Sequence, residues 1–154
     1  MQTLSIDRAL EIADNYPRKR FIDELVEVRR ATADAEDFIT RSETGRLRPN
    51  LDDAAALCGY ADLIRAGYPV KLAGAIISRI RTAMRANPRA DQLVTVTLQN
   101  GFSFTMPAED VELASGFSAG GYITTALLFD ARNYRERVLR SIEAYEPESE
   151  DEDA

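Results

Sequence analysis

Arginine is the residue type through which this chain is best equipped to recognise a ligand. Seventeen of its 19 basic residues are arginines. A planar guanidinium can bind a phosphate through two parallel hydrogen bonds, whereas a lysine ammonium binds it as a point charge. Residues 63–90 hold six bases and no acid. These bases are Arg65, Lys71, Arg79, Arg81, Arg85 and Arg89. The pattern favours a phosphate-bearing ligand, although a genome that encodes arginine in place of lysine would give the same bias.

The residue types that most hydrolases and metalloenzymes need are missing. The chain has no histidine and one cysteine, Cys58, which excludes Ser-His-Asp and Cys-His catalysis, zinc sites with histidine and an internal disulfide. The glycine-rich residues 115–121 precede a predicted strand, whereas a phosphate-binding loop precedes a helix and usually carries a lysine. We therefore expect a binding or regulatory protein that is not an enzyme and uses no cofactor or metal.

Length and charge indicate a small folded chain with an acidic end. The 154 residues are 45% apolar and 29% charged, which is typical of a globular domain. Because no apolar run approaches the ~20 residues that cross a bilayer and no leader pattern is seen, we expect a cytoplasmic protein without a membrane partner. The net charge is −7, and leaving out the six acids of residues 146–154 gives −1. This segment is predicted to be a disordered tail, which either keeps the protein soluble or competes with phosphate for its basic surface.

Helical periodicity dominates the first half of the chain. Thr32 and either Asp52 or Asp53 are the predicted N-caps of two helices, and Gly45 is a suitable residue to end one. Apolar residues recur at three- and four-residue spacing in five segments. The five predicted helices cover residues 4–16, 21–30, 34–44, 52–66 and 69–86.

The period changes to two after residue 90. Residues 93–98 and 102–106 alternate on either side of Asn100-Gly101, which is a strong hairpin signal. Residues 122–129 are a third strand candidate, joined to the hairpin by residues 108–118, which are predicted to be a loop or a short helical turn. Residues 131–145 return to a helical period.

These elements predict an α+β fold. A helical domain of about five helices, residues 1–87, is followed by a small antiparallel hairpin or three-stranded sheet with a C-terminal helix, residues 91–145. The acidic tail, residues 146–154, completes the chain. The second part is too small for a comfortable core of its own, so it should pack on the first part or on a second copy.

The layout of residues 21–41 is that of a helix-turn-helix. Residues 21–28 form a short predicted helix, residues 29–32 a turn, and residues 33–41 a second helix. In a helix-turn-helix the second helix lies in the major groove of DNA, with its outer face toward the base edges.

Residues 20–86 also follow a recognisable order of positions. These positions are Ile22, Glu24, Val26, Val28, Thr32, Phe38, Ile39, Gly45, Leu47, Pro49, Asp52, Asp53, Leu63, Gly67 and Leu72. In them the region resembles the DNA-binding region of the mercury-resistance-regulator (MerR) family, and the resemblance implies a dimeric, sequence-specific DNA-binding regulator of transcription. Acidic residues at 34, 36 and 37 stand where the family carries arginine and threonine on its recognition helix.

If the chain binds duplex DNA, its basic and hydroxyl residues near the predicted turn are the candidate contacts. Arg81 and Arg85, one helical turn apart, are a candidate phosphate clamp. Thr32 and Thr40 are candidates for bonds to the DNA backbone or bases. The candidate phosphate contacts are Arg18, Lys19, Arg20, Arg41, Arg46 and Arg48.

A homodimer is the natural form for reading a palindrome. Pairing of the third strands of two copies would extend the sheet, and the last helix could cover it. The candidate dimer contacts are therefore Tyr122, Leu127, Tyr134 and Val138, with core packing an equal alternative for the tyrosine of the last helix.

A second hypothesis is an interaction module that binds a regulatory protein. It keeps the helix-turn-helix scaffold but has lost DNA binding. The acidic second helix and the acidic tail favour it, and the basic run over residues 63–90 opposes it.

Overall fold

The computed structural model describes residues 2–31 and 39–153. Within these residues four α-helices precede a sheet and a fifth follows it, which confirms the α+β class and the order of elements expected from the sequence. The helices of the described residues are α1 (Ile6–Ile12), α2 (Arg18–Ala31), α3 (Leu51–Arg65), α4 (Val70–Ala86) and α5 (Ala131–Asp153).

The sheet in the described residues has four antiparallel strands in the order β2-β1-β4-β3. Their bounds are Leu93–Leu98 for β1, Ser103–Pro107 for β2, Phe117–Ser118 for β3 and Gly121–Phe129 for β4. The prediction of three strands was one short, because β3 has only two residues and lies in the predicted loop, where no alternation can be read. The hairpin at Asn100-Gly101 joins β1 to β2 as predicted, with Gly101 at a φ of +87°.

The predicted third helix is wrong over residues 39–44. Arg41 forms a β-bridge with Leu47 there, and the Arg48 N–H donates to the Thr40 carbonyl at 2.7 Å. Backbone hydrogen bonds therefore run across a small hairpin instead of along a helix, and Gly45 turns this hairpin with a φ of +83°. Residues 32–38, which include the predicted cap Thr32, lie outside the described residues. We call residues 40–48 the arginine hairpin.

Three helices also differ from the sequence prediction at their ends. Helix α2 begins at Arg18 instead of residue 21 and continues to Ala31, through three of the four residues predicted as the turn of the helix-turn-helix. The first helix ends at Ile12 because Asp14 and Asn15 both adopt the left-handed conformation, with φ of 57°. The helical backbone of α5 continues to Asp153, through the acidic segment for which the sequence predicts disorder.

One apolar core joins the two predicted parts of the chain. Leu93, Phe129 and Val138 belong to the same buried cluster as Leu57 of α3 and Ile77 of α4. The sheet and α5 therefore pack on the N-terminal helices, which is one of the two arrangements that the sequence left open.

Close approach of α2 to α4 depends on a glycine. Val28 of α2 lies so close to Gly74 that a Cβ atom at that position would overlap both Val28 methyl groups. This packing holds α2 at a fixed distance from α4, and α2 carries part of the candidate site described below.

We predict that Gly74→Ala lowers the free energy of unfolding by about 1–3 kcal/mol through overpacking. In a Val28→Ala background the same change should cost nothing or add stability, because the overlap is removed and alanine favours a helix over glycine by about 1 kcal/mol. Urea unfolding of the four proteins measures both effects. An equal cost of Gly74→Ala in both backgrounds would contradict this packing.

Candidate functional site

A groove of about 650 Å³ lies between α1, α2 and the arginine hairpin. Its apolar lining residues are Ile6, Ile22, Leu25, Val26 and Leu47. The rest of the lining is formed by Ser5, Gly45 and five arginines, Arg18, Arg29, Arg41, Arg46 and Arg48. None of the described residues that line the groove is acidic. We call this site the arginine groove.

One face of α2 forms a wall of the groove. Arg18, Ile22, Leu25, Val26 and Arg29 recur at spacings of three and four, which places them on one side of a helix. Ile22 and Val26 are 36% and 44% exposed, so both face the groove and not the core. The buried face of α2 instead carries Phe21, Glu24, Leu25 and Val28, and only Leu25 contributes to both surfaces.

The arginine hairpin forms the opposite wall. The Ser42 N–H donates to the Arg46 carbonyl at 2.8 Å, and the Arg41 side chain donates to the Gly45 carbonyl at 2.9 Å. Arg41, Arg46 and Arg48 are exposed, while Leu47 between the last two is half-buried against the core. The short hairpin thus anchors itself by one apolar side chain and presents its arginines to solvent.

A buried carboxylate fixes the hairpin to the helices. Asp53 of α3 is fully buried, and its Oδ2 accepts the backbone N–H of Thr40 at 2.8 Å and that of Asn50 at 3.1 Å. Its Oδ1 accepts Nε of Arg81 on α4 at 2.6 Å. One side chain therefore holds both ends of the arginine hairpin, because Thr40 begins it and Asn50 lies two residues after its last residue, Arg48.

Asn50 is the N-cap of α3, in place of the predicted Asp52 or Asp53. Its side chain accepts the Asp53 N–H at 2.8 Å, while Asp53 accepts the Asn50 N–H, which together form a capping box. The sequence shows acids at this helix start, but the cap is the amide one residue before the helix.

The predicted clamp of Arg81 and Arg85 does not agree with their positions. Arg81 is only 5% exposed and its guanidinium is bound to Asp53, so it stabilises the interior. Arg85 is exposed, and its Nη2 donates to Thr40 Oγ1 at 3.4 Å. Thr40 also accepts a bond from Arg81 at 3.3 Å, so its hydroxyl serves the network around Asp53. An Arg81→Glu variant would bury two carboxylates side by side and destabilise the fold, so a loss of DNA binding in it would not identify Arg81 as a contact.

Lys19 and Arg20 lie on a different part of α2 from the groove. They line a separate surface depression with the acids Asp23, Glu24 and Glu27. Arg20 Nε is 3.5 Å from Glu24, and its guanidinium lies over the Tyr16 ring at 5.4 Å. Burial, followed by the hydrogen bond to Glu24, raises the pKa of Tyr16 above its usual value, so this phenol stays protonated.

Four of the ten predicted DNA contacts thus converge on the arginine groove: Arg18, Arg41, Arg46 and Arg48. Arg18 also lies 3.2 Å from Asp7, but both side chains are more than 60% exposed, so water screens the pair. Sequence reasoning missed Arg29. Its spacing of eleven residues from Arg18, three helical turns, was the signal that could have found it.

The predicted dimer contacts divide into buried and exposed residues. Val138 is fully buried, and Tyr134 donates from Oη to Asp62 at 2.5 Å and stacks on Phe129 at 4.8 Å. Val138 is therefore a core residue and not a dimer contact, and Tyr134 has partners within its own chain. Leu127 is half-buried against the core, and Tyr122 is 66% exposed.

The described residues contain no cluster of three or more acidic or cysteine side chains that could hold a metal ion. Cys58 is buried in α3, and burial raises the pKa of its thiol to about 11. No helix in the described part of the chain is long and apolar enough to span a bilayer.

No protein-family model matches this chain, and no curated protein matches it either. The resemblance to the MerR family therefore rests on the sequence pattern described above.

We predict that Asp53→Asn lowers the free energy of unfolding by about 3–5 kcal/mol, because it leaves Arg81 buried without a counter-charge. Asp52→Asn is the matched control, since it removes the neighbouring, more exposed pair with Arg135 at 2.9 Å and should cost about 1 kcal/mol or less. Urea unfolding measures both losses. Equal losses in the two variants would show that the buried pair does not hold the fold.

Proposed function

We propose that this chain binds double-stranded DNA through the arginine groove and regulates transcription. The observation that carries the proposal is the convergence of five arginines from α2 and the arginine hairpin, without an acid among the described lining residues. An arginine on the α2 wall and one on the hairpin wall are separated by 12 to 30 residues of sequence. The fold, and not their proximity in sequence, therefore brings them together.

Five arginines along the walls of one groove suit a row of phosphates. A guanidinium can donate two parallel hydrogen bonds to phosphate oxygens. Contacts of this kind position a protein on DNA and supply most of the salt-dependent affinity. Apart from the acidic end, the chain carries a net charge of only −1, so the local charge of the groove governs attraction at close range.

The proposal assigns phosphate contacts and no base contacts. The resemblance to the MerR family implies a recognition helix in the segment predicted as the third helix, residues 34–44, but residues 40–44 belong to the arginine hairpin. We therefore assign the DNA backbone to α2 and this hairpin. Sequence-specific recognition remains a prediction of the resemblance.

A second candidate function is the binding of an acidic protein segment in the same groove. The observation that favours it is the exposure of Ile22 and Val26 on the α2 wall of the groove. A partner that combines carboxylates with apolar side chains would match both the arginines and these two residues, whereas a phosphate chain would leave them without an apolar contact.

We predict that Arg46→Ala and Arg48→Ala each weaken binding to a duplex of about 25 base pairs by about tenfold. Each should also reduce the slope of log affinity against log salt by about 1, because one phosphate contact releases about one counterion. Fluorescence anisotropy at a series of salt concentrations measures both quantities.

Arg89→Ala is the matched control. Arg89 is exposed and lines a different depression, beside Asp91 and Glu109, so its loss should leave the affinity and the slope nearly unchanged. An equal effect of all three variants would indicate unspecific attraction. No binding of the wild-type chain at micromolar concentration would overturn the DNA proposal and leave the acidic protein segment as the candidate ligand.

A further inference from the structure

We propose that β4 pairs antiparallel with β4 of a second copy of this chain, so that two four-stranded sheets join about a two-fold axis. This inference is independent of the arginine groove. It rests on the open edge of β4 and on the residue types along that edge.

The outer edge of β4 is open over most of its length. β1 pairs with β4 from Ile123 to Phe129 on one side. On the other side β3 pairs only with Tyr122 and Gly121. The backbone between Thr124 and Phe129 therefore has one unpaired edge within the described chain.

The alternation of hydrogen bonds identifies the groups at this open edge. Leu98 N–H donates toward β2, to Phe102, and the next residue, Gln99, donates toward β4, to Tyr122. Odd-numbered residues of β1 thus bond to β4, and their partners include Thr125 and Leu127. In an antiparallel ladder the intervening residues direct N–H and C=O groups outward, which assigns Ala126 and Leu128 to the open edge.

The edge lacks the usual protection against pairing. Edge strands are commonly blunted by a charge, a proline, a short length or a cover. β2, the other edge, has five residues, ends in Pro107 and packs against α4. β4 has nine residues with neither a charge nor a proline, and Thr124, Thr125, Ala126 and Leu128 are exposed.

A second copy is the occupant that this edge fits best. Around an axis near Ala126, antiparallel self-pairing sets Leu128 opposite Thr124 of the other copy. No like charges meet along the strand, because residues 121–129 are uncharged, whereas like charges directly opposite would oppose pairing. Such an interface is self-complementary, as a two-fold dimer requires.

The side chains at the edge give a second reason for pairing. Leu128 and Met106 are both cross-strand partners of Val94, so the three lie on one face of the sheet. Val94 is fully buried there, but Leu128 is 55% exposed. The edge is therefore continuous with a partly covered apolar face, and pairing would remove Leu128 from water.

Two variants test the proposal. The measured quantity is the mass of the full-length protein in solution, obtained by sedimentation velocity without DNA. Protein concentrations between about 5 and 200 µM cover the range in which a dimer of micromolar affinity forms. Leu128→Lys places a charge next to the axis. Ala126→Pro removes an outward N–H while the ladder to β1 is kept, as edge positions allow. Leu72→Lys, on α4 at 49% exposure, is the matched control.

The expected result is a wild-type dimer, a Leu72→Lys dimer and monomeric Leu128→Lys and Ala126→Pro proteins with unchanged circular dichroism spectra. If Ala126→Pro does not fold, Leu128→Lys alone decides the outcome. A wild-type monomer at every concentration would overturn the proposal and leave an extended segment of another protein as the occupant of the edge. A Leu128→Lys protein that stays dimeric would place the dimer interface elsewhere. Neither outcome would affect the proposal for the arginine groove.

Discussion

The ion pair between Asp53 and Arg81 is the interaction on which the rest of this structure depends. Asp53 is fully buried and Arg81 is nearly so, with 2.6 Å between the bonded atoms. Burial of an unpaired charge is costly, so each partner fixes the other. The same carboxylate accepts backbone N–H groups from Thr40 and Asn50. It therefore joins α3, α4 and both ends of the arginine hairpin at one point.

This constraint explains how a chain with a net charge of −7 forms a groove lined by five arginines. α2 is held at a fixed distance from α4 where Val28 contacts Gly74, and the hairpin is held on α3 by Asp53. The groove between them receives arginines from both walls. Its geometry follows from contacts in the interior, whereas its proposed chemistry comes from side chains at the surface.

The sequence predicted elements whose pattern is local and missed contacts that are distant along the chain. The hairpin at Asn100-Gly101 and the helix α4 were predicted correctly, because the signal for each lies in neighbouring residues. Arg81 was predicted to be a surface base, since nothing near it in the sequence reveals that Asp53, 28 residues earlier, lies beside it. The helix predicted over residues 34–44 is wrong over residues 39–44 for a similar reason, because the backbone N–H of Thr40 is bound by the distant side chain of Asp53.

The most direct test of the account is a double-mutant cycle for duplex DNA affinity with Asp53→Asn and Arg48→Ala, measured where all four proteins are folded. If Asp53 holds the hairpin in its binding position, Asp53→Asn alone should remove most of the binding. Arg48→Ala should then add little, with a coupling free energy of about 1–3 kcal/mol. Losses that add independently would contradict the claim that the buried pair assembles the groove.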